Sequence, residues 1–305
     1  MSRFVSVLLF VLVSGCVSAR APVGAQVTLA SHGDARVGTY VSSPWGFSTS
    51  SYWIEGPTGL ILIDTQFLPS AAEEFVTWAE HVTGKKAELA IVLHANPDKF
   101  NGTDVLRRRG IRVVTSAQVR ALIPAIHVKR TKAFLSRYQP DYPTEVPLPD
   151  SFGDATTELS AGGVTVKAHV LGAGCSEAHV AVEYEGHLFA GDLVANNAHS
   201  WLEIGKTDEW LRRLAELRAL NPKFVHPGRG PSGGAGLLEQ ETAYLERVIA
   251  EVAVEKPHGA LTDAAQKRIR ERVIAAYPGL GYSVFLGIGL PAEWARQAHA
   301  EARAE

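Results

Sequence analysis

Short β-branched runs alternate with helical patterns of apolar residues along most of the chain. Residues 26–30, 37–42 and 51–55 predict strands, and the apolar run GLILID at 59–64 predicts a buried one. Ser70-Ala71-Ala72-Glu73 has the spacing of a capping box. It opens a helix with Phe75, Trp78, Ala79 and Val82 on one face and Gly84 as its stop. A second buried strand over 89–93 leads into the loop HANPDKFNG. A third, over 112–115, precedes a long basic helix over 117–138 whose charges read as a solvated face.

A surface connection rich in proline and acid, 141–154, separates this half from a second β series at 164–171, 179–184 and 187–192. A helix carrying Trp210, Leu211, Leu214 and Leu217 on one face ends at Asn221-Pro222, and a last strand over 223–226 runs into PGRGPSGG. Two β-rich halves, each closed by helices, predict an α+β fold, a four-layer αββα sandwich rather than a doubly wound parallel sheet. The domain spans 25–305, and 237–305 forms a helical C-terminal extension interrupted near 278–289. The amphipathic pattern of that extension fits a cover for the sandwich and a dimer interface equally.

Composition narrows the classes. With 46% apolar and 20% charged residues in 305, the chain is a globular protein with a sizeable core. Thirty basic against 32 acidic residues leave no electrostatic footprint for a phosphate backbone, which argues against a nucleic-acid partner. Two cysteines exclude a disulfide framework.

Residues 1–19 read as a signal peptide: Arg3 precedes an apolar run over 4–13, too short to span a bilayer. Val13-Ser14-Gly15-Cys16 resembles the lipobox of bacterial lipoproteins, in which the cysteine is acylated and becomes the mature N-terminus. That resemblance implies a periplasmic lipoprotein held to the membrane through a lipid on Cys16. Cleavage after Val17-Ser18-Ala19, giving a soluble periplasmic or secreted protein, is the alternative. Lipidation of Cys16 would leave Cys175 unpaired, and such a thiol should be buried or bound.

The loop His94-Ala95-Asn96-Pro97-Asp98-Lys99 carries candidate ligands at alternate positions, so His94, Asn96 and Asp98 of an extended stretch would point to one side. This loop resembles the His-x-His-x-Asp motif of the metallo-β-lactamase superfamily. GLILIDTQ at 59–66 is similar to the strand before that family's first helix. Gly172-Ala173-Gly174-Cys175-Ser176 resembles its Gly-x-Gly-His-Ser/Thr turn. Leu188-Phe189-Ala190-Gly191-Asp192 resembles its Leu-Phe-x-Gly-Asp/Cys strand, and Pro227-Gly228-Arg229-Gly230 its Pro-Gly-His-Gly. Five motifs in register over 37–234 imply the family's sandwich fold.

The same resemblance implies a changed metal centre. The family's first zinc takes ligands at positions that here are His94, Asn96 and Cys175, and its second at Asp98, Asp192 and Arg229. An amide is a poor substitute for imidazole on zinc, whereas a cysteine thiolate is a good one. Arg229 has no lone pair to give and remains charged. At about 4 Å and an effective dielectric of about 20, it would interact with a carboxylate by roughly 4 kcal/mol. Arg229, with Lys99, is therefore expected to replace the second cation. Residual candidate ligands are His94, Asp98, Cys175 and Asp192, with Asp98 the candidate catalytic group. The expected cofactor is one zinc ion or none. His179, His199 and His226 are candidates for a displaced site, although each reads first as a hydrogen-bonded core histidine.

Two further features stay open. Asp64 reads either as catalytic or as an acid satisfied by local backbone amides. Trp45, Phe47, Tyr52 and Trp53 read either as a substrate cleft or as packing. Three functions follow from these expectations. The first is an envelope-tethered member of the fold that binds a small molecule and has little or no two-zinc hydrolase activity. The others are a mononuclear metallohydrolase acting on an ester, lactam or related bond, and a structural envelope protein.

Overall fold

A computed structural model describes residues 24–304, with side chains to 299; the signal peptide expected over 1–19 and Cys16 lie outside it. Thirteen strands form two sheets among the described residues. The first sheet holds β1 (Gln26–Thr28), β2 (Val37–Val41), β3 (Ser50–Glu55), β4 (Gly59–Ile63), β5 (Lys86–Ile91), β6 (Arg112–Thr115) and β7 (Asp150–Ser151) in sequence order. It is an antiparallel meander up to β4 and parallel from β4 to β7. The second sheet, in the order β13-β12-β11-β10-β9-β8, holds β8 (Thr157–Ala161), β9 (Val164–Leu171), β10 (His179–Tyr184), β11 (His187–Ala195), β12 (Phe224–Arg229) and β13 (Gly233–Gly234). Only the β11–β12 pair is parallel in it.

The sheets pack face to face. Tyr52 on β3 lies 5.4 Å from Phe189 on β11, ring centre to ring centre, and donates its hydroxyl to the Pro227 carbonyl on β12 at 2.6 Å. Helix α1 (Pro69–Thr83) packs on the first sheet through Phe75, Val76 and Ala79. The short helices α2 (Pro97–Phe100) and α3 (Thr103–Arg108) follow, then α4 (Ala117–Tyr138) with Ser116 accepting the Val119 N–H as its cap. Helices α5 (Thr207–Ala219), α6 (Gly236–Ala253), α7 (Asp263–Ala276) and α8 (Val284–Ala304) enclose a second core. Leu245, Val248, Ile269, Leu286 and Leu290 are fully buried there against β11 residues such as Leu193. Each such side chain contributes about 1.5–3 kcal/mol by leaving water. The C-terminal extension therefore covers the outer face of the second sheet.

The αββα expectation is met, with local corrections. Helix α1 begins at Pro69 with Leu68 as its N-cap and no side-chain cap, so Ser70-x-x-Glu73 is not a capping box. The Ser70 N–H is instead satisfied by the Asp141 carboxylate at 3.0 Å. Proline at the first helical position costs no hydrogen bond, which moves the start upstream. Helix α8 begins at Val284, so the interruption is shorter than the glycines at 287 and 289 suggested. The basic helix α4 is not wholly solvated either. Arg130 is 8% exposed and paired with Glu203. No helix among the described residues is long and apolar enough to cross a membrane.

Candidate functional site

The two sheets are joined where β5 ends and β10 begins, both interior strands. The backbone of His94 bridges to His179 at the start of β10, and the Val180 N–H donates to the Leu93 carbonyl at 2.7 Å. This crossing sets the two imidazole rings 5.2 Å apart. Cys175 enters from the loop between β9 and β10, held close by Gly174, where a Cβ would come within 2.4 Å of Leu193. Gly191, at φ +59°, shifts the β11–β12 register and delivers Asp192. Asp98 arrives differently from the strand alternation expected of the loop. Pro97 opens the one-turn helix α2, so Asp98 projects from a helical turn while Asn96 remains extended.

Arg229, at the end of β12, faces both acids. Its Nη2 lies 2.7 Å from Asp98 Oδ2 and its Nη1 3.0 Å from Asp192 Oδ2. Lys99, fully buried, places Nζ 2.9 Å from Asp192 Oδ1, 3.3 Å from Asp98 Oδ2 and 3.8 Å from Asp64 Oδ2. Burial alone would raise the Asp98 and Asp192 carboxyls, but Lys99 and Arg229 outweigh it and hold both below the usual carboxylate range. Burial does push Asp64 up to about 8, despite Lys99. Asp64 is therefore mostly protonated at neutral pH, and two carboxylates face two cations. Asp64 Oδ1 also accepts the Leu93 N–H at 2.9 Å, a bond across the sheet rather than within its own turn.

Beside this network lies a second cluster. The donor atoms of His94, Cys175 and His179 all fall within 4.8 Å of one another, and all three residues are buried. His179 Nδ1 is 3.1 Å from the Gly172 carbonyl, which can only accept, so Nδ1 carries the proton and Nε2 offers its lone pair. Cys175 Sγ lies 3.2 Å from that Nε2 and 3.9 Å from His94 Nε2. Burial holds His94 down to about 4 and His179 to about 3, and raises the Cys175 thiol, so all three are neutral at pH 7.

The donors decide what the site can hold. The second-metal position does not fit a cation: the oxygens of Asp98 and Asp192 that would bind it already face a guanidinium and an ammonium. The first does fit one. Zinc–sulfur and zinc–nitrogen bonds of about 2.3 and 2.0 Å put tetrahedral donors about 3.3–3.6 Å apart. The cysteine–histidine separations of 3.2 and 3.9 Å bracket that range. His94, Cys175 and His179 would hold the ion, with Cys175 deprotonated. His179 was the least expected of these, because the sequence reads it first as a hydrogen-bonded core histidine and only second as part of a displaced site.

The remaining candidates are dispersed. Asn96 lines a cavity of about 250 Å³ with Phe47, Phe67, Phe134, Trp201 and Phe285, whose floor is Asp98, Asp192 and Arg229. Of the four aromatic residues near the first hairpin, Phe47 alone faces it; Tyr52 and Trp53 are core, and Trp45 packs on Tyr138. His199 bonds the Tyr244 hydroxyl at 3.0 Å and His226 bonds His187 and Ser232, away from the cluster. Arg130, Trp201 and Phe285 come from helices and loops whose spacing in sequence carries no sign of the cleft.

Comparison with known proteins bears on the family and the fold. The family model of the metallo-beta-lactamase superfamily matches residues 44–229. Metallo-beta-lactamase type 2 of Bacillus cereus is 26% identical over 190 residues, 59% of this chain and 66% of that protein, so the match spans just under two thirds of the relative. The relative from Bacillus sp. (strain 170), of the same description, matches to the same extent. Among solved structures, the metallo-beta-lactamase from Pontibacter korlensis superposes with a TM-score of 0.56 at 21% identity, covering 73% of this chain and 99% of that one. The mono-zinc form of the metallo-beta-lactamase FIM-1 from Pseudomonas aeruginosa gives 0.55 at 18% identity, covering 74% and 96%. On the family match, the two-sheet architecture and the motif positions together, this chain belongs to the metallo-beta-lactamase superfamily.

Proposed function

We propose that this protein uses the family's fold without its two-metal centre and binds a small molecule in the aromatic cleft above Arg229. It is an envelope protein tethered through Cys16 in this reading. The observation that carries it is the Arg229 guanidinium lying between Asp98 and Asp192, at 2.7 and 3.0 Å. A fixed organic cation there supports the fold and presents a charge to a ligand, but it cannot generate the metal-bound nucleophile of two-ion hydrolysis.

Metal analysis of the purified full chain tests this. After zinc supplementation it should retain about one ion per chain or none, and turn over neither a chromogenic β-lactam nor a simple ester at a metal-dependent rate. Two ions per chain, or metal-dependent turnover, overturns the reading. Fractionation checks the tether: Cys16→Ser should move the protein from the membrane to the soluble fraction.

The His94, Cys175 and His179 cluster favours a second reading, a mononuclear metallohydrolase. A metal held there would supply a Lewis acid and lower the pKa of water. In that case retention of one ion and a metal-dependent rate would both be lost in Cys175→Ala.

A further inference from the structure

We propose that Ser232 is the nucleophile of a second reactive site, activated through His226, His187 and Asp34, that accepts acyl groups from small polar carboxylic esters. Ser232, His226 and His187 form one hydrogen-bonded line, and Asp34 stands at its far end within ion-pair distance. Ser232 Oγ lies 2.8 Å from His226 Nδ1, His226 Nε2 lies 2.9 Å from His187 Nδ1, and His187 Nε2 lies 3.3 Å from Asp34 Oδ2. Arg36 grips Asp34 through Nη2 at 2.8 Å and holds its carboxyl down to about 2, so Asp34 is ionised and can only accept. A carboxylate 3.3 Å from His187 Nε2 favours the hydrogen on that nitrogen. His187 Nδ1 then accepts from His226 Nε2–H, and His226 Nδ1 turns its lone pair to the Ser232 hydroxyl. Such an arrangement is what general-base activation of a serine requires.

Placement agrees with the chemistry. His226 and His187 are buried, at 0% and 2% exposure, while Ser232 is partly exposed on the wall of a cavity of about 600 Å³. Thr39, Ser42, Ser48, Asn196 and Asn197 also line it, and no carboxylate does, which suits a polar, uncharged or anionic ester. The step balances as an acyl transfer. Ser232 Oγ bonds to the ester carbonyl carbon as its proton passes to His226 Nδ1. The bond to the leaving alkoxide then breaks, and that alkoxide departs as the alcohol with the proton from His226. Water hydrolyses the acyl-serine, giving the carboxylic acid and restoring the hydroxyl. Ser232, His226, His187 and Asp34 lie outside the His94–Cys175–His179 cluster, and Arg229 adds a positive charge to the lining of the cavity.

The test is covalent capture on the native full chain with an alkyl fluorophosphonate, which forms an Oγ–P bond and expels fluoride, followed by peptide mass mapping. Ser136, exposed on α4, is the internal reference in the same sample. Ser232 should be labelled at least about a hundredfold faster than Ser136, the scale of general-base assistance. Asp34→Asn should slow Ser232 at least about tenfold at an unchanged melting temperature and leave Ser136 unaffected. Labelling of Ser232 no faster than Ser136 overturns the proposal without need of any variant. An unchanged rate in a folded Asp34→Asn protein removes the relay.

Discussion

Arg229 concentrates the residue-scale consequences of this site. It neutralises two buried carboxylates at once, and removing one partner of such a pair leaves an uncompensated charge. Arg229→Met should destabilise the fold by about 3–5 kcal/mol, read from urea unfolding. Arg229→Lys should recover only part of that, because a single ammonium lacks the fork that reaches Asp98 and Asp192 together. If Arg229 and Lys99 together bar a second metal, Asn96→His, Lys99→Gln, Cys175→His and Arg229→His combined should raise zinc retention to about two ions per chain, and mass spectrometry under native conditions reads it. The chemical identity of residue 229 was legible in the sequence. Its place between Asp98 and Asp192 was expected from the family's motif positions, and the structure bears it out across the 131 positions that separate it from Asp98.

At the scale of elements, glycines separate local preference from packing. Gly287 and Gly289 both sit in α8, where alanine is favoured over glycine by about 0.5–1 kcal/mol. A Cβ at Gly287 meets nothing within 4 Å, whereas one at Gly289 would come 2.6 Å from Leu202 Cβ. Gly287→Ala should therefore raise the melting temperature and Gly289→Ala should lower it. Gly228 shows the same constraint at the site: a Cβ there would lie 1.5 Å from Asp192 Oδ1. Helices and strands were legible from apolar periodicity, and their errors have local causes. Pro69 and Pro97 each opened a helix where the pattern read a later start or an extended loop. The glycines of α8 masked a helix stabilised by the core beneath it.

For the whole molecule, buried titratable groups set the pH dependence of stability. Burial lowers His94, His179, His187, His199 and His226, from an ordinary 6.5 to about 4 for His94 and about 3 for His179. Below pH 6.5 the unfolded chain takes up protons that these histidines refuse in the fold, so stability falls as pH drops toward 4. Burial raises Asp64 to about 8 and Glu241 to about 7, so the fold keeps two protons the unfolded chain has released above about 4. Their contribution falls as pH rises toward 8. Five histidines outweigh two carboxyls on the acid side, and the carboxyls act alone above neutrality. The melting temperature should thus peak between pH 6.5 and 7 and decline on both sides, more steeply toward acid. A plateau continuing down to pH 5 would show that the histidines are not held neutral.

By itself the sequence determined the sandwich class, because strand and helix periodicities are local and the five motifs sit at strand ends whose order is read directly from the chain. It also determined that the second-metal position carries a permanent positive charge, which is a property of one side chain. Only the tertiary structure decided that His179 joins His94 and Cys175, that Lys99 lies among three acids, and that Ser232 ends a line through two histidines to Asp34. The contacts that complete each group span long stretches of chain, 81 positions from His94 to Cys175 and 39 from His187 to His226, and strand pairing and sheet stacking set them, with a register shift at Gly191. No local pattern of apolar and polar positions records which side chains will share a buried volume.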